Sequence, residues 1–176
     1  MPPEIRIIGL SAELPGQVVS NADLGRQYGV SEKQIEQQCG VSERRQAPEG
    51  FGPSDLALPA VRQALTEAQC EVGDLSLLVF STMTPDVTFP GAACYLQHKL
   101  GAGTVGALDV RAQSAGFLAG LDLAMAFAST EARYQRVLLA AGEVFTTGLD
   151  LGPAGMAMTP RFGDGAAAAV IGPSDA

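Results

Sequence analysis

The sequence predicts an α/β fold in which helices cover a mixed, mainly parallel sheet. Three observations carry that reading. Short apolar runs of strand length alternate with segments whose apolar residues recur at helical spacing, the pattern of βαβ units with right-handed crossovers. One of those runs, Leu75 to Phe80, is almost wholly apolar, as a strand covered on both faces must be. The chain has 176 residues and is 47% hydrophobic. At that length folding buries roughly 70% of the unfolded surface, so a core forms without disulfide or metal staples.

Taken in order, Ile5 to Leu10 is an apolar, β-branched run that reads as a strand ending in a turn at Pro15-Gly16. Asn21 reads as a helix cap. Ser31 to Cys39, opened by a capping serine and closed by Gly40, reads as a short solvent-facing helix. From Ser54, residues Leu56, Ala60, Val61, Ala64, Leu65 and Ala68 fall at helical spacing, with Pro59 expected to kink or loosen the first turns. After the Leu75–Phe80 strand come a helix over 91–100, a strand over 106–110, a small-residue helix over 115–128 and a strand over 136–141. Ala166 to Ile171 is a final strand, introduced by the turn Gly163-Asp164-Gly165. Residues 1–172 therefore read as one domain and 173–176 as the start of a linker.

Composition narrows the function. Eleven Lys and Arg against nineteen Asp and Glu give a net charge of -8, which repels nucleic-acid phosphates and anionic membrane surfaces. Cys39, Cys70 and Cys94 are odd in number and widely spaced, which indicates neither a disulfide framework nor a zinc site and suits a reducing cytoplasm. No apolar run approaches the ~20 residues that span a bilayer, and the N-terminus lacks the pattern of a signal peptide. The expectation is a cytoplasmic protein without metal or bound cofactor.

The chemical centre of the sequence is Asp109-Val110-Arg111-Ala112-Gln113-Ser114-Ala115-Gly116-Phe117, where a strand ends and a helix begins. Ser114 stands at that junction, where free N–H groups and the positive helix end favour developing negative charge. The plain alternative is an N-cap serine. Gly101-Ala102-Gly103-Thr104-Val105-Gly106 fits GxGxxG but lies between a helix and a strand, the reverse of the dinucleotide-binding context. Ala112-Gln113-Ser114-Ala115-Gly116 falls one residue short of the GxSxG elbow, and no hydrolase triad can be assembled around it.

These residues carry a resemblance. The 109–117 segment resembles the nucleophile segment D-V-x-A-A-C-A-G-F of β-ketoacyl-ACP synthase III and its thiolase-fold relatives. Gly40-Val41-Ser42-Glu43-Arg44-Arg45 is similar to the family's G-I-x-x-R, Thr88-Phe89-Pro90-Gly91-Ala92-Ala93-Cys94 to F-P-S-x-A-C, and Arg161-Phe162-Gly163-Asp164-Gly165-Ala166 to F-G-D-G-A. The segments occur in the family's order at compatible spacings. The resemblance implies the N-terminal half of a thiolase-like α/β/α/β/α fold, in which Phe89 reaches across a dimer interface to shape the partner's acyl pocket; a core phenylalanine beside Pro90 is the alternative.

Three departures modify that implication. The family's nucleophilic cysteine is Ser114 here. A thiol titrating at about 8.5 becomes substantially ionised at a helix N-terminus, whereas a hydroxyl stays protonated and needs a base. The single histidine, His98, belongs to the helix before Gly101 and reads as a surface residue. The family's nucleotide-binding tryptophan and two arginines align with Gln34, Gln38 and Met156, removing the stacking and phosphate contacts that hold CoA and favouring a carrier-protein-bound acyl donor. The family's catalytic His and Asn lie in a second half that this chain does not contain, which leaves the small-residue face of the 115–128 helix open to a partner. The resulting expectation is an acyltransferase with Ser114 accepting an acyl group from a thioester, as a homodimer or as a heteromer with a C-terminal half or a homologue. Its alternative is a catalytically silent subunit paired with an active homologue.

Overall fold

Apolar residues that alternate along each strand decide which helix covers which face of the sheet. The computed structural model describes residues 4–130, 133–150 and 152–173. Strand β4 (Leu77–Ser81) turns Leu78 and Phe80 to one face and Leu77 and Val79 to the other. On the first face they meet α3 (Pro53–Glu67) and α4 (Ala92–Leu100), and on the second α5 (Gly116–Thr130). The result is a three-layer sandwich.

The sheet takes the order β1-β7-β6-β4-β5, with β1 at Ile5–Glu13, β5 at Gly106–Val110, β6 at Val137–Glu143 and β7 at Gly165–Pro173. Strand β4 pairs parallel with β5 and β6, while β7 runs antiparallel to both β6 and β1. Four of the five strands therefore share one direction and β7 alone is reversed, which is the expected mixed, mainly parallel sheet. Pro173, expected to open a linker, instead pairs with Ile5 as the last residue of β7. Residues 174–176 lie outside the described residues.

Local differences from expectation have physical causes. The helix α1 (Asn21–Tyr28) is capped by Ser20, whose hydroxyl accepts from Asp23 N while the Asp23 carboxylate accepts from Ser20 N. Asn21 is thereby freed to turn inward. In α2 (Glu32–Cys39) Ser31 and Gln34 make the same reciprocal cap, and only Ile35 is buried. Helix α3 continues through Pro59 because that residue sits on the exposed face, where water can take the freed carbonyl. A second sheet pairs β2 (Gln17–Ser20) with β3 (Glu43–Gln46). Its polar composition gave no strand signal. The small-residue face of α5 is not the open one: Gly116, Gly120, Ala124 and Ala128 are buried on the sheet, and a Cβ on Gly120 would stand 2.5 Å from Leu139 Cδ1. The large apolar residues that this helix exposes are Leu118 and Leu123.

Candidate active site

Three parallel strands end side by side, and the site is assembled beyond their carboxyl ends. Register places Ser81 of β4 opposite Val110 of β5 and Ala141 of β6, and Thr82 N donates to Val110 O at 3.2 Å. From β5 the chain enters a tight helical turn, Gln113–Ala115, that runs directly into α5. Gln113 adopts φ 47, a left-handed conformation that few non-glycine residues take. Gly116 packs closely on β4, since a Cβ there would lie 2.2 Å from Ser81 Oγ, which would have to turn aside. These two constraints hold Ser114 at the N-terminal end of a 15-residue helix, against the end of the central strand.

Ser114 is exposed, and its hydroxyl has no hydrogen-bond partner among the described residues. It opens on a cavity of about 530 Å³ lined by Met83, Phe117, Phe145 and Phe162 together with Ser81, Gln113 and Glu143. The lining is mostly apolar. Phe145 and Phe162 face each other with ring centroids 5.0 Å apart.

One wall of the cavity is fixed by a carboxylate that the sequence reading missed. Glu143, at the end of β6, accepts from Met83 N at 2.8 and 3.0 Å, from Thr84 Oγ1 at 2.9 Å and from Thr82 Oγ1 at 3.3 Å. Its oxygens are thus occupied in holding the loop that follows β4. The signal available was a lone charge at the end of the apolar run Val137 to Gly142. Asp109, within the nucleophile-like segment, does not reach the cavity lining. Its carboxylate accepts from Ala93 N at 3.0 Å and serves the N-terminus of α4, leaving no room for a Cβ on Gly91, itself at φ 148.

The other family-like segments meet elsewhere. Arg44, 8% exposed, donates to Val19 O, Asn21 Oδ1 and Pro160 O at 2.8 to 3.1 Å, and its Nε is buried without a partner. Burial pulls its guanidinium below the ordinary value, against the opposing influence of the Cys39 thiol and the Glu43 carboxylate. Asp164, 4% exposed, accepts from Ala47 N at 2.8 Å, from Thr146 N at 3.0 Å and from the Thr146 hydroxyl. These two residues join β3 to the segments flanking β7.

The remaining expected residues separate from Ser114. His98 lies exposed in the last turn of α4 and does not line the cavity. Phe89 is 88% exposed, which excludes the core reading and leaves its ring projecting from the loop between β4 and α4. Gln34 is engaged in the α2 cap, Gln38 O accepts from Arg161 Nη2 at 2.9 Å, and Met156 is half-buried. Gly101 and Gly103, of the discounted GxGxxG string, form the left-handed turn between α4 and β5. Among the described residues no cluster of three metal-ligating side chains occurs, and no helix is long and apolar enough to cross a membrane.

Residues 108–176 match the family described as 3-oxoacyl-[acyl-carrier-protein] synthase III. The chain is 38% identical over 167 residues to a β-ketoacyl-[acyl-carrier-protein] synthase III of Geobacillus kaustophilus, covering 95% of this chain and 53% of that protein. The crystal structure of the corresponding synthase of Aquifex aeolicus superposes with a TM-score of 0.91 at 33% identity, over 98% of this chain and 55% of that one. A priming β-ketosynthase of a polyketide biosynthetic pathway gives 0.90 at 34% identity, over 100% of this chain and 53% of its own. The chain spans about half the length of the relatives it matches.

Proposed function

The chain is a relative of the β-ketoacyl-ACP synthase III family and carries its thiolase-like fold, and on that footing we propose that the protein is an acyltransferase in which Ser114 accepts an acyl group from a thioester. The observation that supports this most directly is the position of Ser114. Its unpartnered hydroxyl stands at the start of a long helix and at the edge of a largely apolar cavity. In the acylation step Ser114 Oγ bonds to the acyl carbon, the C–S bond breaks, and the hydroxyl proton passes through a base to the departing thiolate. The tetrahedral oxyanion is left the Ser114 N–H and the positive end of the helix, because the amides of Ala115 and Gly116 already donate to Ala112 O and Gln113 O. No imidazole lines the cavity, so the base is supplied from outside the described residues.

An oxygen ester is less readily displaced by a carbanion than a thioester. Selection of a starter unit, or transfer to a hydroxyl or amine, therefore suits Ser114 at least as well as carbon–carbon condensation. The loss of aromatic and cationic groups at Gln34, Gln38 and Met156 favours an acyl carrier protein over CoA as donor. The projecting Phe89 suits a homodimer or a heteromeric partner.

The test is incubation of the native protein, with any partner it carries, with a panel of acyl thioesters on carrier protein and on CoA. Peptide mass analysis should find the acyl adduct on Ser114 and lose it in Ser114→Ala. No adduct from any donor removes the proposal. A second reading, a catalytically silent subunit paired with an active homologue, is favoured by the absence of a free base around the cavity. It predicts that Ser114→Ala leaves the activity of the pair unchanged.

A further inference from the structure

The cavity beside Ser114 is poor in side-chain hydrogen-bond donors. Ser81 Oγ lies beneath the backbone of Gly116, in the space that a Cβ would fill. The Glu143 carboxylate only accepts, and the loop of Thr82 to Thr84 already takes its oxygens. Among the described residues no lysine, arginine or histidine lines the space. Apart from the hydroxyls of Ser114 itself and of Ser81, which is buried under Gly116, Gln113 is the one lining residue among those described with a free side-chain donor, its exposed carboxamide being bonded to nothing.

The backbone gives Gln113 a second distinction. It holds φ 47, a conformation that costs a side-chain-bearing residue roughly 1 kcal/mol or more. The nucleophile segment that this stretch resembles has alanine at the corresponding place. A longer polar side chain is thus placed in a strained position that directs it to the cavity shared with the serine.

We propose that the Gln113 carboxamide is the side-chain donor that holds the acyl carbonyl of a neutral acyl thioester beside Ser114. A thioester carbonyl accepts hydrogen bonds and donates none, so it needs such a partner once an apolar wall has removed its water. The Glu143 carboxylate, with no lysine, arginine or histidine among the described residues lining the cavity, disfavours chains ending in a carboxylate. Gln113 thereby acts as a positioning and specificity residue. The inference deepens the Ser114 reading and rests on it for the location of the acyl group.

Binding tests it apart from chemistry. The probes are a butyryl-pantetheine analogue with an amide in place of the thioester and its succinyl counterpart, titrated against the native protein carrying Ser114→Ala. Adding Gln113→Ala should weaken butyryl binding roughly tenfold, the size of one lost hydrogen bond. Gln113→Glu, which keeps the shape but loses the donor, should weaken it at least as much, and the succinyl probe should bind more weakly than the butyryl one throughout. Unfolding midpoints should not fall in either Gln113 variant, which separates loss of contact from loss of fold. Equal affinities in the parent and the Gln113→Ala protein, full retention by Gln113→Glu, a preference for succinyl, or no binding to the parent would each overturn the inference. Gln113-dependent binding without any acyl adduct on wild-type Ser114 would sink the acylation reading alone.

Discussion

The corner built by Arg44 and Asp164 and the turn that carries Ser114 both lie in segments resembling one family, yet their side chains are treated in opposite ways. At the corner, Arg44 and Asp164 are buried and bonded to backbone and side chains from distant parts of the chain. At the turn, Gln113 and Ser114 are exposed and unbonded, on a backbone held in an unfavourable conformation. Motif similarity alone does not separate the two cases. What does is the state of the polar groups, because buried groups bonded to distant parts of the chain maintain a fold whereas free groups beside a cavity remain available to a ligand.

The comparison is broken most forcefully at the corner. Asp164→Ala strips the acceptor from Ala47 N, Thr146 N and the Thr146 hydroxyl at a buried position, and should cost about 3 kcal/mol or more. Chemical denaturation should show this as a lowered midpoint; a loss under about 0.5 kcal/mol would mean that the corner is no more structural than the turn. Next in size, Gly116→Ala sets a methyl group 2.2 Å from Ser81 Oγ, so that either the hydroxyl turns aside or α5 lifts from β4, at a cost of about 1 kcal/mol. Because a lift of α5 carries Ser114 with it, acylation should then fall further than stability does, which joins the packing of the turn to its chemistry. Unchanged acylation in a folded Gly116→Ala protein would show that helix placement does not set the serine.

The ends of this spectrum were unequally legible in the sequence. The β4 run, the α3 spacing and the caps at Ser31 and Gly40 were readable because periodicity and capping are local. Strands β2 and β3 were not, since Gln17 to Ser20 and Glu43 to Gln46 pair across two intervening helices and carry no alternation of apolar residues. Ser114 was found through its strand-to-helix context and the resemblance around it. Glu143 and Gln113 were missed because their roles depend on which side of a cavity they line. That is decided by register among β4, β5 and β6, and by a backbone angle that glutamine does not announce. The face of α5 was misassigned for a related reason: a stripe of small residues marks close approach without saying to what, and here it approaches the sheet.

The finest test sets the Ser114 turn against an equivalent backbone elsewhere. Gln69, just past the end of α3, is also exposed and left-handed, at φ 50, but lines none of the cavities around Ser114. Replacing either glutamine by glycine relieves roughly 1–2 kcal/mol of conformational cost and gives back about half of it through the greater freedom of the unfolded chain. Gln69→Gly and Gln113→Gly should therefore each raise stability by a similar amount, on the order of 0.5 kcal/mol, read as a small rise in the unfolding midpoint. They should part company in binding, where only Gln113→Gly weakens the butyryl-pantetheine analogue. Equal stabilisation with unequal binding means that strain at the turn is kept for what the side chain does there. If neither variant alters binding, the glutamine at the serine turn is as incidental as the one that closes α3.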